Sequence, residues 1–150
     1  MKPIVIAHRG ASAYLPEHTL PCVAAAHTLG ADYIEQDIVL SRDGVPMVLH
    51  DIYLESTTNV AQQFSGRCRN DGRFYAIDFD LAELKSLTVH ERVDDQGSAV
   101  FADRFPVADL QLRIPTLSEE ITLIEGLNKS RGTHTGYYIE FKSPAFHAAA

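Results

Sequence analysis

Short apolar segments alternate along this chain with segments that carry helix-capping signals, and this alternation limits the possible folds more than any other feature. Four strands are predicted, over residues 4–7, 33–40, 45–49 and 137–141. Strands that alternate with helices are typical of α/β proteins, in which the helices cover the faces of a sheet. The sequence therefore predicts an α/β fold.

Helix-capping residues place the two main helices. Thr19 can cap a helix that runs to about Leu29, where Gly30 follows as a stop. Thr116 opens a capping box, which predicts a second helix that runs to about Leu127.

The chain divides by composition into three parts, which we treat as one domain. Residues 1–51 hold three strands and a helix, and residues 114–150 hold a helix and the fourth strand. Residues 52–113 are polar and irregular, with one modest helix at 81–87 behind Asp80 as a cap. A stretch this long with so little pattern is typical of an insertion or a binding lobe rather than of core.

Composition excludes several classes of protein. The 150 residues carry a net charge of -7, which argues against general nucleic-acid binding because such binding needs a basic face. The apolar runs are far shorter than the ~18–20 residues of a membrane span.

No secretory signal is recognisable, so we expect a cytoplasmic protein or one whose signal was removed. Cys22 and Cys68 could pair or stay free, with both possibilities open.

Ionisable residues lie within or just after the predicted strands. Glu35 and Asp37 are two residues apart in a strand and therefore point to the same face, as do Glu140 and Lys142. If Asp43-Gly44 forms a two-residue hairpin loop, Asp37 pairs with residue 50, which is a histidine; a wider loop would shift this pairing.

These residues together predict a cation-assisted site for phosphorus chemistry, although each one alone is also typical of a solvated strand end. Glu35, Asp37 and Glu140 form an all-oxygen environment that suits Ca²⁺ or Mg²⁺ better than zinc. Two histidines can serve as general acid and general base, and two cations can bind phosphate oxygens. The candidates for these roles are His8 and His50, and Arg9 and Lys142.

Taken in this order, the motifs resemble those of the glycerophosphodiester phosphodiesterase family. They resemble most the longer, periplasmic-type members of that family. The matching segments are IAHRGAS at 6–12, PEHT at 16–19, GADYIEQD at 30–37, DG at 43–44, VLHD at 48–51, DGRFYAIDF at 71–79 and EFKSP at 140–144. One departure is His18, where many members carry Asn. By resemblance the protein is periplasmic if a signal was removed.

The resemblance implies a TIM (β/α)8 barrel enzyme that hydrolyses small-molecule glycerophosphodiesters, such as glycerophosphocholine, to an alcohol and glycerol 3-phosphate. It implies that Glu17 orients Arg9 or a histidine. It also implies His8 and His50 as the acid–base pair, Arg9 and Lys142 as phosphate or metal-shell contacts, and Glu35, Asp37 and Glu140 as ligands of a divalent ion, with Ca²⁺ first and Mg²⁺ as the alternative.

Two alternatives stay open. The protein could act on lysophospholipid or phosphoinositide head groups, or the chain could be an inactive fragment that retains only cation or phosphate binding. A (β/α)8 barrel typically takes ~250 residues. Four predicted strands in 150 residues therefore suggest about the first half of a barrel.

Overall fold

A computed structural model describes residues 3–102, 104 and 111–149 of the chain. Its strands are β1 (Ile6–Ala7), β2 (Tyr33–Leu40), β3 (Pro46–Val48) and β4 (Gly136–Phe141). Its α-helices are α1 (Leu20–Thr28), α2 (Val60–Gln63), α3 (Leu81–Ser86), α4 (Leu117–Arg131) and α5 (Pro144–Ala148), with a 3-10 helix at Ala76–Asp78. The predicted strands are confirmed, although β1 and β3 are shorter than expected.

Strand β2 is the centre of the sheet. Strands β1 and β4 pair with it in parallel, and Tyr33 faces a partner in each of them, so they lie on opposite edges of β2. Strand β3 is antiparallel to β2 and lies on the same edge as β1, because Ile38 faces both Val48 of β3 and Phe141 of β4. The carboxyl ends of the three parallel strands β1, β2 and β4 therefore meet at one end of the sheet.

Local capping explains where α1 and α4 begin. The Thr19 side chain accepts a hydrogen bond from the Cys22 backbone N–H, and Thr116 forms the predicted capping box with Glu119. Helix α4 does not end near Leu127 but continues to Arg131. The last turn of α4 lacks the apolar pattern, but its backbone stays helical up to Gly132, which adopts a left-handed conformation.

The turn between β2 and β3 is wider than the predicted two-residue loop. Ser41 closes it: its backbone N–H donates to the Val45 carbonyl at 3.0 Å, and its hydroxyl accepts from the Val45 N–H at 2.8 Å. This moves the register by one residue. The Asp37 carbonyl therefore accepts from Leu49 at 2.9 Å, and the predicted pairing of Asp37 with His50 is wrong.

The described residues between 52 and 113 contribute more to the core than the polar composition of this segment indicated. The fully buried side chains of Leu54, Phe79 and Leu84 pack in one cluster with Val39 and Met47 of the sheet. Burying a side chain of this size stabilises a fold by about 1.5–3 kcal/mol. The segment also holds α2 and the 3-10 helix beside the predicted α3; we refer to its described residues, which pack on the sheet, as the lobe.

The outer strands leave apolar side chains in solvent. Ile6 of β1 and Tyr138, Ile139 and Phe141 of β4 are all exposed.

Among the described residues, no helix is long and apolar enough to cross a bilayer. Cys22 is buried, Cys68 is exposed, and both are free thiols.

Candidate active site

The loop after β1 turns sharply because Arg9 and Gly10 both have positive φ, at 59° and 82°. This turn directs the Arg9 backbone N–H onto Glu35 Oε2 at 2.7 Å. It also packs Gly10 against α1, where an added Cβ would lie 2.8 Å from Cys22 Sγ. Only glycine combines this backbone conformation with so close an approach.

Two buried carboxylates, Glu35 and Asp37, stand on one face of β2. Asp37 is the more heavily contacted: its Oδ2 lies 2.9 Å from His18 Nε2 and 3.7 Å from Arg9 Nε, and its Oδ1 lies 3.4 Å from Lys142 Nζ. Three side chains, two from the loop between β1 and α1 and one that follows β4, therefore converge on one carboxylate.

The electrostatics of the two carboxylates are opposite. Burial, together with the neighbouring charge of Asp37, raises the pKa of Glu35 to about 7. Burial also opposes ionisation of Asp37, but the hydrogen bond and charge of His18, with smaller contributions from His50 and Lys142, lower its pKa to about 2. Burial lowers the pKa of His18 in spite of Asp37. The pair thus disfavours a second negative charge unless a cation is bound.

The donor set fits a divalent cation. Ligand atoms of His18, Glu35 and Asp37 all lie within 4.8 Å of one another. Asp37 Oδ1 is buried and has no hydrogen-bond partner within the described ranges. Glu140, the third predicted ligand, is the register partner of Asp37, but its side chain is 56% exposed and accepts from Lys142 Nζ at 2.6 Å. The structure therefore brings His18, and not Glu140, into the closest group.

The two predicted acid–base histidines follow β1 and β3. His50 Nδ1 lies 2.7 Å from Asp51 Oδ1, which fixes the plane of the ring. His8 is exposed and lines a cavity of about 210 Å³ together with Arg9, Glu17 and Arg92.

Arg92 of the lobe joins the two histidine-bearing loops. It donates to Glu17 at 2.7 and 3.1 Å and to Asp51 at 2.6 Å, while Arg9 Nη1 donates to Glu17 at 3.1 Å. The sequence did not indicate Arg92, because it lies in the polar stretch outside any motif. Asp51 had a signal in its position beside His50, but it was not predicted to take part in the site.

Comparison with known proteins gives one family. The profile of the glycerophosphoryl diester phosphodiesterase family matches residues 8–149. The chain is 47% identical over 147 residues to a glycerophosphodiester phosphodiesterase of Haemophilus influenzae and 40% identical to one of Treponema pallidum. Both alignments cover 96% of this chain, which spans only 40% and 41% of the length of these relatives.

Solved structures agree with the fold. A glycerophosphodiester phosphodiesterase of Agrobacterium tumefaciens superimposes with a TM-score of 0.65 at 29% identity, covering 99% of this chain and 52% of that protein. A phosphodiesterase of Oleispira antarctica, solved with the product sn-glycerol-3-phosphate, gives a TM-score of 0.64 at 34% identity over 93% of this chain and 44% of that one. The parallel strands with α1 and α4 are thus about half of a TIM barrel. The chain belongs to the glycerophosphoryl diester phosphodiesterase family.

Proposed function

We propose that the protein carrying this chain hydrolyses glycerophosphodiesters, such as glycerophosphocholine, to an alcohol and glycerol 3-phosphate. The observation that carries the proposal is the convergence of the buried Glu35 and Asp37 with Arg9, Lys142 and the His50 loop at one end of the sheet. In TIM barrels, the carboxyl ends of the strands carry the active site. The names of the relatives and the product bound in the Oleispira antarctica structure support the same chemistry.

A divalent ion is part of the proposal, with Ca²⁺ first and Mg²⁺ as the alternative. Glu35, Asp37 and Glu140 would hold it, because carboxylate oxygens are the ligands that hard cations prefer. Asp37 Oδ1 forms no hydrogen bond within the described ranges, its nearest cation being Lys142 Nζ at 3.4 Å, and burial together with Asp37 raises the pKa of Glu35; both observations support binding of a further positive charge. When bound, the ion supplies a charge that stabilises negative oxygens on phosphorus. His18 holds Asp37 in place from the opposite oxygen.

Proton transfer falls to His8 and His50. Burial opposes ionisation of Asp51, but its bonds from His50, Ser56 and Arg92 hold its pKa far below the usual range. Ionised Asp51 can only accept, so His50 Nδ1 carries the proton and Nε2 is the nitrogen left for proton transfer. One histidine would take a proton from the attacking oxygen while the other gives one to the leaving alcohol.

Two cationic side chains would bind the phosphate. Arg9 Nε is buried and has no hydrogen-bond partner in the described part of the chain, so it can donate to a phosphate oxygen. Lys142 shares its charge between Asp37 and Glu140 and adds a second positive charge at the same end of the sheet. Both cations would offset the charge that develops on phosphorus during displacement.

The test is choline release from glycerophosphocholine by the protein carrying this chain, with the 150-residue chain assayed in parallel. Activity should disappear after chelation and return with added Ca²⁺ or Mg²⁺. Lysophosphatidylcholine and glycerophosphoinositol serve as competing substrates. Absence of choline release at any ion concentration would overturn the proposal, and faster turnover of either competitor would move it to that substrate class.

A further inference from the structure

We propose that Arg92 is a positioning residue through which the lobe holds both predicted catalytic loops in place. The inference rests on the proposed function. Arg92 is the only side chain among the described residues that bonds the partner of His50 and the partner of Arg9 at once, through Asp51 and Glu17.

The geometry of this bridge is close. The Arg92 Nη2 and Nε atoms both donate to the Glu17 carboxylate, at 2.7 and 3.1 Å, while Nη1 donates to Asp51 Oδ2 at 2.6 Å. A guanidinium suits this task because its planar donors can serve two carboxylates in fixed directions. Rotation of the Glu17 carboxylate would displace Arg9, which donates to it. Rotation of the Asp51 carboxylate would displace the His50 ring in the same way.

The lobe backbone fixes Arg92 from both sides. The Val93 N–H donates to the Ser56 carbonyl at 2.8 Å, and the Arg92 carbonyl accepts from the Val100 N–H at 3.0 Å. Ser56 also uses its hydroxyl to donate to Asp51 Oδ2 at 2.6 Å. Ser56 and Arg92, whose backbones are linked by the bond from the Val93 N–H to the Ser56 carbonyl, therefore both donate to the carboxylate that orients His50.

Loss of Arg92 would leave two charges without their partner. The side chains of Glu17 and Asp51 are each 12% exposed, so water cannot fully replace the guanidinium. Among the described residues, Asp51 would keep Ser56 and His50 as partners, and Glu17 would keep Arg9. Both carboxylates would then be free to rotate, and the His50 ring and the Arg9 guanidinium would lose their fixed directions.

A structural role alone makes different predictions. Arg73 provides the matched control, because it too is a lobe arginine that bridges two acids, Glu55 and Asp95, and lies over the Tyr53 ring. Its contacts lie wholly within the lobe. A residue that only stabilises the lobe should therefore behave like Arg73, whereas a positioning residue should act on turnover.

The experiment compares Arg92→Gln, Arg92→Lys and Arg73→Gln in the protein carrying this chain. We expect Arg92→Gln to lower kcat for glycerophosphocholine by about 10- to 100-fold, as is usual when a group that orients a site residue is lost. KM should rise less than kcat falls, because Arg9 keeps its own bond to Glu17. Arg92→Lys should recover part of kcat. Arg73→Gln should keep the wild-type kcat although its unfolding midpoint falls by as much as that of Arg92→Gln. An unchanged kcat in Arg92→Gln, or an equal loss in Arg73→Gln, would overturn the proposal.

A second readout does not depend on activity. In ¹⁵N ring spectra recorded at alkaline pH, wild-type His50 should show one tautomer with the proton on Nδ1, and Arg92→Gln should show a mixture. If the wild type hydrolyses no diester, the proposed function fails, while these spectra still decide the role of Arg92. The same single tautomer of His50 in the wild type and in Arg92→Gln would overturn the positioning role of Arg92.

Discussion

His50 and Asp51, adjacent in sequence, are joined by a hydrogen bond of 2.7 Å between Nδ1 and Oδ1. Ser56 and Arg92 hold the other oxygen of the same carboxylate, each at 2.6 Å. The ring of His50 is therefore oriented by a carboxylate that is itself fixed by the lobe. This arrangement makes His50 a suitable group for directed proton transfer.

Replacing either predicted acid–base histidine should remove hydrolysis without unfolding the protein. We expect His8→Ala and His50→Ala to lower kcat by about 10²- to 10⁴-fold, the usual contribution of a general acid or base. His8 is exposed and His50 is half-buried, so neither deletion leaves a large cavity. Steady-state kinetics with glycerophosphocholine and circular dichroism measure the two effects. His134→Ala, at an exposed position outside the site, is the control. Turnover like the wild type in either variant would rule out that assignment.

Cation binding should depend on Asp37 and Glu140. We expect Asp37→Asn and Glu140→Gln to weaken Ca²⁺ binding at least about tenfold, because each removes one of the few charged oxygen ligands. Calorimetric titration of the chain with Ca²⁺ measures this directly. Glu125→Gln, which changes an exposed carboxylate of α4, should bind as the wild type does. Equal Ca²⁺ affinity in Asp37→Asn and the wild type would contradict the proposed ligand set.

Alanine at Gly10 should destabilise the protein more than alanine at Gly44. Both residues have positive φ, at 82° and 77°, so both substitutions carry a backbone cost of about 1–2 kcal/mol. Only at Gly10 does the new Cβ meet other atoms, with Cys22 Sγ at 2.8 Å, and overpacking adds about 1–3 kcal/mol. Urea unfolding of the two variants measures the difference. In the Cys22→Ala background the excess cost at Gly10 should shrink, and equal costs at both glycines would contradict the packing argument.

Features that depend on neighbouring residues could be predicted from the sequence, and features that depend on distant ones could not. Thr19 and Thr116 cap their helices because the bonded groups lie three residues away. Tyr33–Leu40 is a strand with the predicted bounds for the same local reason. The β3 register was missed because the Ser41 hydroxyl widens the turn, which a rule for Asp-Gly loops does not consider.

In the candidate site, too, local relationships could be predicted and long-range ones could not. Glu35 and Asp37 share a face because of strand periodicity, and this was predicted. The contact of His18 with Asp37 depends on a loop whose path no local rule gives. Arg92 reaches Glu17 across 75 residues of sequence, so only the folded lobe brings them together.

The stability of the protein should fall as pH rises because Glu120 is buried in α4. Its side chain is fully buried, and neither oxygen has a hydrogen-bond partner among the described residues. Burial, with a smaller contribution from Glu35, raises its pKa to about 8 from an ordinary 4.5. The folded state thus keeps a proton that the unfolded state releases. The contribution of protonated Glu120 to the stability is fully present below pH 4.5 and is lost as pH rises through about 8.

Glu120→Gln tests this origin, because the amide cannot ionise and has nearly the same shape. The contribution of Glu120 to the free energy of unfolding should fall by up to about 1.4 kcal/mol per pH unit within the window, and Glu35, whose pKa burial raises to about 7, adds a loss at the acidic end of the same window. Urea midpoints at pH 5 to 8.5 should therefore fall less steeply in the variant, which should be the more stable protein at pH 8. Glu125→Gln, on the exposed side of the same helix, should keep the wild-type slope. Parallel curves for Glu120→Gln and the wild type would show that another group causes the pH dependence.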